Sequence, residues 1–213
     1  MTIISMIQES IMTENVFSGR IGTRKEQKAQ TRRLILEAAI IEFGKSGFEK
    51  TAISDIAKRA DVSYGNVFAH FATKEELFTR AIEEFVQRMA SRLDELSQFG
   101  AGLHSVLSTH LKVIAEFEDL YSQTVAKSFT LPDFAQTAIV GIQSAISHQI
   151  SIAAKTDIEK GKLKNVSIHM LFNAWTALVG YYLTNRQFFS PNGSVIEFKG
   201  NEILDFFMLM LEK

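Results

Sequence analysis

Ser63, Tyr64, Gly65, Asn66, His70 and Lys74 are the residues of this chain whose types and spacing could do chemistry together. An asparagine amide can pair with the edge of an adenine through two hydrogen bonds. Gly65 removes a side chain where another molecule must come close. His70 and Lys74 offer protons to phosphate oxygens, and Lys74 opens a helical stretch whose first N–H groups would add to an anion site. Thr31, Thr51 and Ser63 carry hydroxyls suited to phosphate contact or helix capping. Arg20, Arg24, Lys25, Lys28, Arg32 and Arg33 form a basic cluster ahead of them, able to reach a sugar–phosphate backbone or a minor groove. This is the chemistry of recognising a polyanion that has readable edges.

Such side chains need a rigid element to present them. Ile53, Ile56, Ala57 and Ala60 recur at helical spacing and predict a short helix over 53–60. Asp61-Val62-Ser63 interrupts that face, and Ser63 is a good N-cap for a second short helix over 64–71. There Val67 and Phe71 face inward, leaving Tyr64, Asn66 and His70 outside. Small Ala57 allows the steep, close crossing of a helix-turn-helix, a unit that lays its second helix in the major groove of DNA. A helix over 28–45, with Ile35, Ala38, Ala39 and Phe43 as its buried stripe, precedes the pair and ends at Gly44 to Gly47. A long helix over 74–96 follows, capped by Thr73 and buried through Leu77, Phe78, Ala81, Phe85 and Met89.

The remainder also reads as helix. Segments are predicted over 103–117, 120–129, 132–160 with Pro132 in the first turn, 165–189, and a last one ending at Leu211. With two prolines and few alternating apolar runs in 213 residues, the chain is expected to be all-α. The expected domains are a loose arm (1–23), a three-helix DNA-binding domain (24–73) and a helical ligand-binding and dimerisation domain (74–213). The stretches 170–183 and 203–211 are apolar on most faces. Helices of that kind must be covered on all sides, which predicts a homodimer through the last two helices. Phe117, Tyr121, Phe129, Trp175 and Tyr181 are candidate walls of an apolar pocket for a small apolar or aromatic effector.

Composition narrows the partners. Residues 20–80 hold 12 Lys+Arg against 8 Asp+Glu, whereas 81–213 hold 11 against 14, a basic front and an acidic back that suit phosphate contact at one end. The chain has no cysteine, so neither a disulfide nor a thiolate metal site is available, which fits a reducing cytoplasm. The spread-out histidines lack the spacing of a helical metal site, and no metal or other cofactor is expected. No apolar run reaches the roughly eighteen residues of a membrane span, and no basic lead-in marks a signal peptide.

The segment resembles the TetR family of bacterial transcriptional regulators. The resemblance rests on Thr31-Arg32, Ile35, Ala38-Ala39, Phe43, Gly47-Phe48, Thr51, Ile53, Ile56-Ala57, Ala60, Val62-Ser63, Gly65, Val67-Phe68, His70-Phe71, Lys74-Glu75 and Leu77. It implies a ligand-responsive regulator, a repressor by the family's commonest behaviour, that binds a palindromic double-stranded operator as a homodimer. Three departures stand out. Asp61 occupies a turn position where the family usually has glycine, and it must adopt a positive φ. Ala52 replaces the usual capping Ser or Thr, so Thr51 is expected to cap one residue earlier. Phe68 replaces a tyrosine whose hydroxyl reaches phosphate, a loss of about 1 kcal/mol. Two other readings stay open here. An enzyme lacks support, since there is no glycine-rich phosphate loop, no Gly-x-Ser-x-Gly elbow and no cluster of catalytic residue types. An adaptor that keeps the DNA-binding front but acts through a protein partner is consistent with near-neutral net charge and Phe68.

Overall fold

The periodicities above become ten α-helices, with no strand among the described residues, in a computed structural model that describes residues 23–98, 100–125, 131 and 133–213. They are α1 (Arg24–Lys50), α2 (Ile53–Arg59), α3 (Tyr64–His70), α4 (Lys74–Gln98), α5 (Leu103–Glu116), α6 (Glu118–Val125), α7 (Asp133–Glu159), α8 (Ile168–Thr184), α9 (Arg186–Phe189) and α10 (Val195–Leu211). The chain divides into two units, residues 1–34 and 35–213. In the first, Thr23 and Glu26 open α1 reciprocally. The Glu26 N–H donates to Thr23 Oγ1 (3.3 Å) and the Thr23 N–H to Glu26 Oε2 (2.6 Å), which satisfies two otherwise orphaned donors. Arg20 and Pro132 lie outside the described residues.

In the second unit the α1 stripe is buried as its spacing requires, with Ile35, Ala39 and Phe43 fully enclosed. The helix runs past the expected end and breaks at Gly47 (φ 75°, ψ 168°), a conformation glycine adopts without a Cβ clash. Thr51 does not cap α2. Its hydroxyl donates to the carbonyls of Gly47 (2.7 Å) and Glu42 (3.1 Å), while Ala52 holds the N-cap position with no side-chain bond. Thr51 therefore staples the break in α1, its N–H and hydroxyl both donating to the Gly47 carbonyl and its hydroxyl also to that of Glu42. Asp61 does take a positive φ, 54°. Asp61→Gly should raise stability by about 0.5–1 kcal/mol, the relief of a left-handed side chain less glycine's entropic cost; denaturant unfolding checks this.

Gly44 faces α6. A Cβ there would stand 2.8 Å from Asp119 Cβ and 2.9 Å from Leu120 N, so only glycine lets these backbones touch. Gly44→Ala should cost about 1–3 kcal/mol by overpacking, measurable as a lowered unfolding midpoint. Phe134 of α7 meets Phe48 (5.8 Å between centroids) and Phe78 (6.4 Å) edge-on, a second apolar join between front and back helices.

The back helices share one core. Trp175 is fully buried, packs on Phe207 (5.1 Å) and donates its indole N–H to His110 Nδ1 at 2.9 Å. Burial holds the His110 pKa down at about 4. Asp157 accepts the Leu103 N–H (2.7 Å) and so opens α5. Glu118 is buried at the start of α6 and accepts the N–H groups of Val195 (2.9 Å) and Ile196 (3.1 Å) and the Ser194 hydroxyl. A carboxylate on those N–H groups satisfies the first turn of α10 and complements its dipole. The helix expected over 165–189 is broken at Asn185, whose side-chain amide donates to the Tyr181 carbonyl (2.8 Å) and leaves α9 as a separate turn. No helix among the described residues is long and apolar enough to cross a membrane.

Candidate nucleic-acid interface

The helix-turn-helix builds its reading face on a buried base. Val67 and Phe71 are each 1% exposed and belong to the buried core that also holds Phe43 and Phe78. Ser63 opens α3 as its spacing predicted, accepting the Asn66 N–H at 3.2 Å. The opposite face carries Tyr64, 57% exposed, and Phe68, 38% exposed, whose rings lie 5.2 Å apart. The i,i+4 relation of Phe68 to Tyr64 is the sequence signal that the two rings share the outer face.

Gly65 lies between them with nothing within 4 Å of where a Cβ would stand. The protein itself therefore does not require glycine at this position. Asn66 is half-buried beside it, and His70 is half-buried at the helix end and already engaged within the protein. Lys74 donates to the Glu49 carbonyl (3.2 Å) and lies 4.7 Å above the Phe48 ring, so one of its three protons is spent on the end of α1. Thr73 accepts the Glu76 N–H (3.0 Å) while Glu76 accepts the Ala72 N–H (2.8 Å), which caps α4 as expected. Thr51 drops out as a phosphate contact, because it is buried and its hydroxyl is committed inward. Thr31 and Arg32 are half-buried in the first unit, where the Thr31 hydroxyl donates back to the Gln27 carbonyl (3.0 Å).

A second candidate site lies behind. A narrow cleft is lined by Ile82 and Phe85 of α4, Leu120, Tyr121 and Thr124 of α6, Ile139, Gln143 and Ile146 of α7, and Phe172 and Thr176 of α8. Its mostly apolar lining is of the kind found in small-molecule sites. Both threonine hydroxyls bond back to their own helices, leaving the Tyr121 hydroxyl and the Gln143 amide as the polar handles. Desolvation pushes the Tyr121 pKa up to about 12, so the phenol stays a neutral donor.

Of the expected pocket residues, Tyr121 alone lines this cleft. Phe117 packs against Phe85 (5.4 Å) in the core. Trp175 is consumed by His110 and Phe207. Tyr181 points out of α8, 59% exposed. Phe129 lies outside the described residues. Ile139, Gln143 and Ile146 were missed, although their i, i+4, i+7 spacing with one amide among apolar neighbours was a readable stripe.

The family model described as "Bacterial regulatory proteins, tetR family" matches residues 35–81. The chain is 27% identical over 130 residues to the uncharacterized HTH-type transcriptional regulator YhgD of Bacillus subtilis (strain 168), covering 61% of this chain and 68% of that protein. It is 21% identical over 158 residues to the HTH-type transcriptional repressor KstR of Rhodococcus jostii (strain RHA1), covering 74% of each. Its fold is that of the transcriptional regulator FadR from Bacillus subtilis, solved in complex with stearoyl-CoA, with a TM-score of 0.65 and 18% identity over 83% of this chain and 97% of that one.

Proposed function

Since residues 35–81 belong to the tetR family of bacterial regulatory proteins, we propose that the chain is a cytoplasmic, ligand-responsive repressor that binds a palindromic operator as a homodimer and is released by a small apolar or aromatic effector. The observation that carries the reading is Gly65, a glycine the protein does not need, set between exposed Tyr64 and Phe68 on a capped and buried-backed helix. In this reading residues 24–73 form the DNA-binding domain and 74–213 the sensing and dimerising domain. Tyr64, Gly65 and Asn66 enter the major groove, Asn66 reads adenine, and Ser63, His70, Lys74, Thr31 and Arg32 flank the phosphates.

The dimer surface comes from α8 and α10. Each buries one stripe, Leu171, Trp175 and Val179 on α8 and Ile203 and Phe207 on α10, and exposes another. Met170 is 65% exposed, Phe206 54% and Leu209 70%. A second copy laid on those faces buries both stripes as a four-helix seam. The effector occupies the uncharged cleft, where α4 forms one wall and continues directly to Lys74. A ligand that fits one arrangement of α4 better than another shifts the balance of DNA-competent forms.

The test is selection of duplexes from a random pool by the purified protein, followed by affinity against salt. An enriched palindrome with half-sites one or more helical turns apart, and a salt slope reflecting several phosphates, is the expected result. Recovery of no sequence, with tight capture of a protein partner instead, would favour the adaptor reading.

A further inference from the structure

Ile146 also lines a second opening, between α4 and α7, whose floor is Val86, Met89, Ala90 and Ala145 and whose polar rim is Asp94, His148 and Gln149. Small Ala90 of α4 and Ala145 of α7 both line this opening. The rim differs in kind from the cleft on the other side of Ile146, where every lining residue is uncharged. Asp94 accepts one hydrogen bond, from the Gln149 amide at 3.3 Å. It has no ion-pair partner among the described residues, although its helix neighbours Arg88 and Arg92 are both paired with glutamates.

We propose that the two openings are halves of one site for an amphipathic amine, whose apolar body fills the uncharged cleft and whose ammonium group is held at Asp94 and His148. The proposal rests on the effector reading above and names the ligand's class. The carboxylate supplies the opposite charge and accepts an ammonium proton, with His148 and Gln149 on the same polar rim. A carboxylate or phosphate head would meet the Asp94 charge and is excluded by the same geometry. Ile146, buried between the halves, is the side chain the ligand must pass over to occupy both. A molecule spanning them bridges α4 to α7 along the part of α4 that leads away from α3.

Calorimetric titration of the full chain with n-octylamine, 1-octanol and octanoate at pH 7.5 tests this, since the three share a body and differ in head. The expected order is octylamine tighter than octanol by about two- to fivefold, the worth of an exposed charge pair, with octanoate weakest. Asp94→Asn, at an exposed position, should bring octylamine down to the octanol value and leave octanol unchanged. Equal binding of octylamine and octanol to the native chain, or an unaltered octylamine affinity in D94N, overturns the amine assignment while the cleft stands. Saturable binding of none of the three overturns the cleft as an effector site as well.

Discussion

Gly65→Leu should fold with an unchanged or slightly raised melting temperature and lose specific operator binding by on the order of a hundredfold or more, the loss of two base contacts at about 1–3 kcal/mol each. Both halves of that expectation follow from one local fact. Apart from its chain neighbours and its own helix backbone, nothing lies within 4 Å of a Cβ at Gly65, so the free protein has room for a side chain to start there. Glycine in a helix is also destabilising by roughly 0.5–1 kcal/mol relative to alanine, so a side chain there relieves a backbone cost. On the DNA side the same leucine would protrude beside Tyr64 and Asn66 and hold α3 out of the groove. Gel-shift or fluorescence titration alongside thermal unfolding separates the two effects. A G65L protein that binds its selected duplex as tightly as the native chain would falsify the groove assignment of α3. A G65L protein that unfolds early would show instead that the glycine serves the fold.

Acidification should weaken the fold through His110 by about 3 kcal/mol, the 1.36 kcal/mol per pKa unit acting across a displacement from 6.5 to about 4. The direction follows from where the proton is bound. The folded chain keeps this imidazole neutral, because it is buried and accepts the Trp175 indole N–H on Nδ1, with no partner for Nε2 among the described residues. The unfolded chain takes up a proton as pH falls below 6.5. Between about 6.5 and 4 the unfolded state therefore binds more protons, and the stabilisation present above that window is lost within it. His110→Gln keeps an acceptor for the indole N–H and removes the titration. Denaturant unfolding at pH 7.5 and 4.5, at fixed protein concentration because dimerisation would also contribute, should show a smaller acid loss in H110Q than in the native chain. An identical loss in the two would assign the acid sensitivity elsewhere.

The front of the molecule was legible because its signals are local. Ser63 caps the helix that follows it within three residues, and Leu77, Phe78, Ala81, Phe85 and Met89 repeat on a single helix face that the core then covers. The positive φ of Asp61 was expected from the family resemblance, which puts a glycine position there, and the structure has it at 54°. The cleft behind was less legible, its one readable signal being the i, i+4, i+7 spacing of Ile139, Gln143 and Ile146. Residues 134–154 contain no Asp, Glu, Lys or Arg, so α7 offers little polarity contrast to tell its inner face from its outer one. Aromatic type was a poor guide for the same reason: Trp175 and Phe117 satisfied the core, while Tyr181 faced outward. The Thr51 staple and the Gly44 contact depend on partners nine residues away or on another helix, and no window of sequence displays them.

Three consecutive residues at the head of α6 look three ways. Glu118 grips the first turn of α10, Asp119 pairs with Arg186 and abuts Gly44 of α1, and Leu120 lines the cleft. A ligand that shifts this turn therefore acts on α10, the helix proposed to face a second copy, as well as on α1 at Gly44. Linkage is reciprocal, so under the proposed reading the cost also runs backwards. Effector affinity should change with protein concentration as the chain passes from monomer to dimer, and a titration performed at nanomolar protein need not report the constant measured at micromolar protein.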